Sequence, residues 1–334
     1  RVSAPQTTAR QWTSLQASVG GVAFVGVEGL TLSADTVGVA INRAAADGTV
    51  VDYRSGATDL SVATGPASSL SLSMDGRRGQ LLEVSGHLNI DLFGFVQLEG
   101  DLALVKAEQP QEITLSDGKK TQARLLTLGG HQLNAFAGVR GGEPDAIGMQ
   151  LGGVDFALAL YSDTQDVLRK WTAVQARADS AALVGVDGLV ARGQDLLVDI
   201  NRAAKAGDAV VDFGLSDPSN ANSARRTALT VATGPSSSMQ ITLDGSQGAL
   251  TRKDGEVTLN DGVVSDDPAK AKPATLIEAD LLTVGGSGLD AFAGIHGGSP
   301  DRMGLALQDV SFGLALITER LPEGSTATAR KFTT

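Results

Sequence analysis

Ser69-Leu70-Ser71-Leu72-Ser73-Met74-Asp75-Gly76 and Ser238-Met239-Gln240-Ile241-Thr242-Leu243-Asp244-Gly245 are two versions of one stretch, each alternating an apolar residue with a polar one before Asp-Gly. Successive side chains of a strand point to opposite faces. The alternation therefore puts Leu70, Leu72 and Met74 on a buried face and the serines on a wet one. Asp-Gly after such a run predicts a hairpin, because both central turn residues take positive φ. The stretch thus predicts antiparallel strands, and predicts them twice.

Working outward, the duplication covers most of the chain. Arg10-Gln11-Trp12-Thr13 returns as Arg169-Lys170-Trp171-Thr172 and as Arg330-Lys331-Phe332-Thr333, at offsets of 171 − 12 = 159 and 332 − 171 = 161. Ile41-Asn42-Arg43-Ala44-Ala45 matches Ile200-Asn201-Arg202-Ala203-Ala204, and Val62-Ala63-Thr64-Gly65-Pro66 matches Val231-Ala232-Thr233-Gly234-Pro235. Copy two carries a polar insertion near Ser216 to Arg226. It has no counterpart of Leu88 to Phe95 in copy one and offers a charged stretch around Asp266 to Pro273 instead, which reads as the loss or replacement of a strand pair. A fixed period of this kind is the mark of a repeat architecture. The divisions expected are a linker over 1–9, one module over 10–168, a second over 169–329, and the start of a third over 330–334.

Composition agrees with many strands and tight turns: 42% of residues are hydrophobic, only 4% are aromatic, and 41 are glycines. Two half-buried strands are expected at Val37, Val39, Ile41 and at Leu196, Val198, Ile200. A longer amphipathic stretch runs through Leu88, Ile90, Leu92 and on to Val96, Leu98, Leu102. Helix is expected only over Asn42 to Asp47, near Asn201, and over Thr164 to Ala182, where Leu168, Trp171 and Val174 carry helical spacing. The fold class expected is all-β: elongated, stacked antiparallel or solenoid-like modules with at most short helices, with tandem β-sandwich domains as the alternative.

The net charge of −11 and the lack of a local Lys/Arg cluster argue against nucleic acid and anionic surfaces as partners. Absence of cysteine excludes disulfides and thiolate chemistry. No apolar run reaches the length of a membrane-spanning helix, so no membrane insertion is expected in this segment. The chain begins Arg-Val-Ser, which suggests a piece of a longer protein.

Catalysis finds little support. His87, His131 and His296 stand singly beside glycines and read as exposed loop residues; aligning the copies sets His131 against Ser287 and His296 against Arg140. No nucleophile elbow, zinc helix or phosphate loop is present, so no enzyme and no catalytic residue is expected. Gly285-Gly286-Ser287-Gly288-Leu289-Asp290-Ala291-Phe292 fits a calcium-binding nonapeptide and makes Asp290 the one metal candidate, with calcium the only cofactor to consider. That motif stands alone, and copy one reads Gly129-Gly130-His131-Gln132-Leu133-Asn134. The recurring carboxylates Glu28/Asp187, Asp52/Asp212, Asp75/Asp244 and Asp145/Asp301 read as turn and cap residues.

Through Val-Asp-Tyr/Phe, Val-Ala-Thr-Gly-Pro, Leu-Thr-x-Gly-Gly, Ala-Phe-Ala-Gly and Val-x-Phe-x-Leu-Ala-Leu, the chain resembles repeats of very large, adhesin-like bacterial surface or secreted proteins. The resemblance covers nearly the whole chain. It implies an extracellular or cell-surface location and a structural or adhesive role, and it carries over no site residue. Three functions follow as expectations: a spacer or stalk, an adhesin module with a ligand site in Gly86 to Gly100 or Ser216 to Arg226, and a self-assembling fibre or sheath subunit. The partners expected are neighbouring repeats of the same chain and, through edge strands, other copies.

Overall fold

The computed structural model describes residues 9–24, 26, 30–54, 56–58, 60–205, 208–213, 228–243, 256–259, 275–297, 299–319 and 331–333. The insertion at Ser216 to Arg226, the stretch Asp266 to Pro273, Glu28, Asp244 and the linker residues 1–8 lie outside them. The described chain is all-β, as expected. Copy one contains β1 (Thr13–Phe24), β2 (Leu30–Arg43), a short pair β3 (Ser61–Gly65) and β4 (Ser68–Ser71), then β5 (Leu81–Leu92), β6 (Val96–Ala107), β7 (Gln111–Thr114), β8 (Lys120–Val139) and β9 (Ile147–Asp163). Copy two contains β10 (Lys170–Val184), β11 (Leu189–Ala203), the short pair β12 (Leu229–Ala232) and β13 (Ser238–Ile241), β14 (Glu256–Leu259), β15 (Thr275–Ile295) and β16 (Met303–Glu319). β17 (Lys331–Thr333) follows.

All the long strands of both copies join one antiparallel sheet in the order β1-β2-β5-β6-β8-β9-β10-β11-β15-β16-β17, with β7 paired to β8 and β14 to β15 at its side. Among the described residues β1 pairs only with β2 and β17 only with β16, so the path stays open. It is a meander, with neighbours in the chain lying beside each other in the sheet. Tandem sandwiches do not form, because the boundary at 168/169 falls inside a continuous ladder: Trp171 pairs with Tyr161 and Val174 with Leu158.

The missing stretch in copy two has a simple consequence. In copy one β5 and β6 stand between β2 and β8, whereas in copy two β11 pairs directly with β15. Removing two antiparallel neighbours leaves every remaining strand direction unchanged, so the meander closes up without a crossover. β14 is the copy-two equivalent of β7: Glu112-Ile113-Thr114-Leu115-Ser116-Asp117-Gly118 recurs as Glu256-Val257-Thr258-Leu259-Asn260-Asp261-Gly262, at an offset of 256 − 112 = 144.

The expected helices are corrected. Thr164 to Ala182 contains a turn and then strand β10, and Asn42 and Asn201 both sit within strands, followed by turns. Alternation wins over helical spacing because Trp171 and Ala173 face one way and Val174 the other, each against a neighbouring strand on both sides. The Asp75-Gly76 hairpin is also corrected. The Asp75 side chain accepts from Arg77 N and caps a single 3₁₀ turn, Gly76–Arg78, the one helical element among the described residues.

Midway along most strands the ladder slips by a residue. Thr36, Gln132, Asp195 and Asp309 take φ of 50–51°, and Gly100, Gly153 and Gly288 are also positive. Register shifts lie beside them in the β2–β5, β6–β8, β8–β9, β11–β15 and β15–β16 pairs, so β-bulges recur across the sheet.

Candidate functional site: the junction between repeats

The main core lies where copy two meets copy one. After β11 the chain doubles back as a flap, with β12 and β13 as its short strands, and lays Val210, Phe213, Val231, Ile241 and Leu243 over one face of β8, β9 and β10. Beneath them sit Ala123, Leu125, Ala157, Ala159, Tyr161, Trp171 and Ala173, with Ile113 and Leu115 closing one side. Alanines recur in the sheet layer because a strand hairpin lying flat on the sheet leaves little height for larger side chains. Burial drives the Tyr161 hydroxyl well above its ordinary pKa, so it stays neutral.

Polar contacts fix the flap. Ser116 N donates to Val210 O at 2.8 Å, Val210 N donates to Ser116 Oγ at 3.1 Å, and Asp212 N donates to Thr114 O at 2.9 Å, all between copies. Within copy two, Trp171 Nε1 donates to Ala209 O at 2.9 Å, Asn201 Nδ2 to Val211 O at 2.7 Å, and Thr242 N to Gln175 Oε1 at 3.1 Å. The Arg169 guanidinium lies 5.1 Å over the Trp171 ring. Asp163 turns the chain from β9 into β10. Its burial alone would raise its pKa, but hydrogen bonds from Gln165 N, Thr121 Oγ1 and Asp166 N, with Arg169 beside it, hold the carboxyl below the usual range.

Copy one repeats the internal half of this arrangement. Trp12 Nε1 donates to Thr49 O at 2.9 Å, Asn42 Nδ2 to Val51 O at 2.8 Å, Ser73 N to Gln16 Oε1 at 2.9 Å, and Arg10 lies 5.3 Å over Trp12. Its own small core holds Tyr53, Leu72 and Met74. What differs is the layer beneath. Trp12 is 39% exposed against 2% for Trp171, and Val62 is 46% exposed against 0% for Val231. This Trp and this Val are thus buried only where a β8–β9 hairpin lies under the flap. β17 joins β16 in the same register: Ile317 pairs with Phe332 as Tyr161 pairs with Trp171.

Gly129 shows how closely the flap approaches. A Cβ there would fall 2.3 Å from Ala232 O and 2.8 Å from Thr233 Cγ2. Its repeat partner Gly285 meets nothing nearer than 3.6 Å. The first glycine of Leu-Thr-x-Gly-Gly in copy one therefore seats the flap of copy two. The Leu115-Ser116 loop and this glycine were the functional positions not picked out from the sequence; the repeated Glu-Ile/Val-Thr-Leu-Ser/Asn-Asp-Gly was the signal for the first.

The other candidate residues fall elsewhere. His87 and His131 are corrected from loop to strand. His87 Nδ1 lies 2.9 Å from Asp101 Oδ1, and this hydrogen bond raises its pKa. His131 Nδ1 lies 2.8 Å from Oδ1 of the buried Asp155. Burial of Asp155 is outweighed by hydrogen bonds from Gln132 N, Arg177 and His131, which keep its pKa low. His296 is exposed beyond β15, 3.2 Å from Asp301. Because the His87 pKa is raised on folding, its contribution to stability is fully present below its ordinary 6.5 and fades as pH rises through the folded value. We expect an NMR titration of the His87 ring to give a midpoint above 6.5; a midpoint at or below it would contradict the Asp101 contact.

Asp290 lies within β15, where its carboxylate accepts Asp309 N at 3.0 Å beside the bulge. Among the described residues no three His, Asp or Glu side chains gather as a metal site. Asp52 accepts from Arg54 and from Gly76 N, and the Arg54 bond holds its carboxyl well below the usual range. Asp145 pairs with Arg140, and Asp187 lies in the turn between β10 and β11. On β5, β6 and their neighbours, Asn89, Asp91, Gln97, Glu99, Asn134 and Gln150 line a shallow groove of 380 Å³ within the copy-one segment Gly86 to Gly100 and beside it. No helix among the described residues is long and apolar enough to cross a membrane. No family model, curated protein or solved structure matches the chain.

Proposed function

We propose that the chain is a structural repeat segment, a spacer or stalk within a very large extracellular or cell-surface bacterial protein, and not an enzyme. The observation that supports this reading is the junction itself. Copy two adds its strands to the sheet of copy one and lays its flap over the β8–β9 hairpin, so the two share a ladder and a core. Such an array gains length by a fixed step per repeat, and its stability comes from nearest-neighbour contacts. Eleven strands about 4.8 Å apart already make a plate about 48 Å across.

The second reading, an adhesin module, is favoured by the polar groove, because the inserted hairpin that forms it is present in one copy and absent from the other. Small-angle scattering on the intact chain tests the first reading. A compact chain of this length has a radius of gyration near ~20 Å. We expect a clearly larger value and a plate-like envelope; a near-spherical particle at about 20 Å would count against a spacer.

A further inference from the structure

The flaps cover one face of the sheet, and two rows of mostly aliphatic residues cross the opposite face. Residues directly opposite in an antiparallel ladder share a face. By register one row runs from Ala17 through Val39, Val84, Leu104 and Leu128 to Leu316, placing one aliphatic residue on each of ten strands. A second row runs from Leu30 through Leu92, Val96, Ala137 and Met149 to Leu307. The unbroken β5–β6 hairpin shows that both rows lie on the same side, since Val84 and Leu92 are eight residues apart without a register shift. Val84, Leu104, Met149 and Leu316 are 36–48% exposed. Across ten strands, and over about 34 Å of strand length, this face presents on the order of 1,400 Å². Apolar patches on a typical monomer reach only about 300–600 Å².

Charge says what suits that face. At one end of the strands the aliphatic rows give way to Arg43, Lys106, Arg124, Lys170 and Arg202, all on the apolar side by register and all exposed. Lys106, Arg124 and Lys170 gather with Leu126 and Leu160 around a depression of 510 Å³. Lys106 reaches Glu108 at 3.2 Å, while Arg124 and Lys170 make no salt bridge among the described residues. The strand carboxylates Glu83, Glu99, Asp101, Asp155, Asp163 and Asp199 all fall on the other face. A chain of net charge −11 therefore keeps a basic rim beside a large aliphatic surface. In copy two the position of Arg124 holds Asp280, so the rim belongs to copy one and the junction.

We propose that this face binds an anionic amphiphile, with the acyl chain laid along the aliphatic rows and the headgroup held by Lys106, Arg124 and Lys170. The proposal is independent of the spacer reading. Displacement of a fluorescent apolar dye from the intact chain, by palmitate below its micelle-forming concentration and by hexadecanol of the same length, tests it. We expect saturable displacement by palmitate with at least tenfold preference over hexadecanol, and loss of that preference as salt is raised. In the triple variant K106Q/R124Q/K170Q palmitate binding should fall about tenfold with hexadecanol unchanged, and Leu104→Asn should weaken both. The salt series on the unmodified chain decides the matter even if the triple variant misfolds. Absence of saturable palmitate binding, a palmitate affinity indifferent to salt, or sedimentation showing self-association that excludes the dye would each overturn the proposal.

Discussion

Trp171→Ala is expected to destabilise the chain by about 3–5 kcal/mol, the range for removing a large aromatic from a packed core, while Trp12→Ala should cost well under about 1.5 kcal/mol. The two residues occupy the same motif, cap the same kind of turn and donate the same indole hydrogen bond. They differ in what lies against the ring. Trp171 is sealed at 2% exposure within a core that includes Ile113, Leu115 and Leu125 of copy one, whereas Trp12 is 39% exposed. Urea unfolding of the two variants measures the contrast; equal losses would mean that the cross-copy layer contributes nothing.

Gly129→Val carries the second large effect. Its Cβ would strike backbone, Ala232 O at 2.3 Å, and backbone cannot swing aside as a flexible side chain can. The flap must lift or β8 must shift, at a cost of about 3 kcal/mol or more, at the upper end of overpacking. Gly285→Val, at the same place in the next repeat, meets only ordinary contact and should change stability by less than about 1 kcal/mol. Unfolding midpoints of the two variants check the pair, and a neutral Gly129→Val would remove the close approach from the account.

The strands, and the lack in copy two of an equivalent to Leu88 to Phe95, could be read in the sequence because each depends on local pattern. Alternation at Leu70, Leu72 and Met74 and the matching Ile-Asn-Arg-Ala-Ala runs needed no tertiary information. The helix expected over Thr164 to Ala182 failed because alanines at 173, 176 and 178 mute the period of two, leaving Leu168, Trp171 and Val174 to imitate a helical stripe. The junction was less legible for a deeper reason. Trp12 and Trp171 have near-identical neighbours in sequence, and their burial is decided by a hairpin that precedes only one of them. The basic rim was equally hidden: Arg43, Lys106, Arg124, Lys170 and Arg202 are scattered along the chain, and only the ladder register brings them to one edge. The histidines looked solitary because Asp101 and Asp155 reach them from neighbouring strands.

The copy-two flap is held by the copy-one hairpin beneath it. Amide hydrogen exchange on the intact chain compares the two flaps directly, because Val231 and Thr242 of one correspond to Val62 and Ser73 of the other. Val231 and Thr242 are expected to be protected to the same degree as Ala159 and Ala173 in the sheet beneath, while Val62 and Ser73 exchange orders of magnitude faster. Equal protection of the two flaps, or fast exchange at Val231, would contradict it.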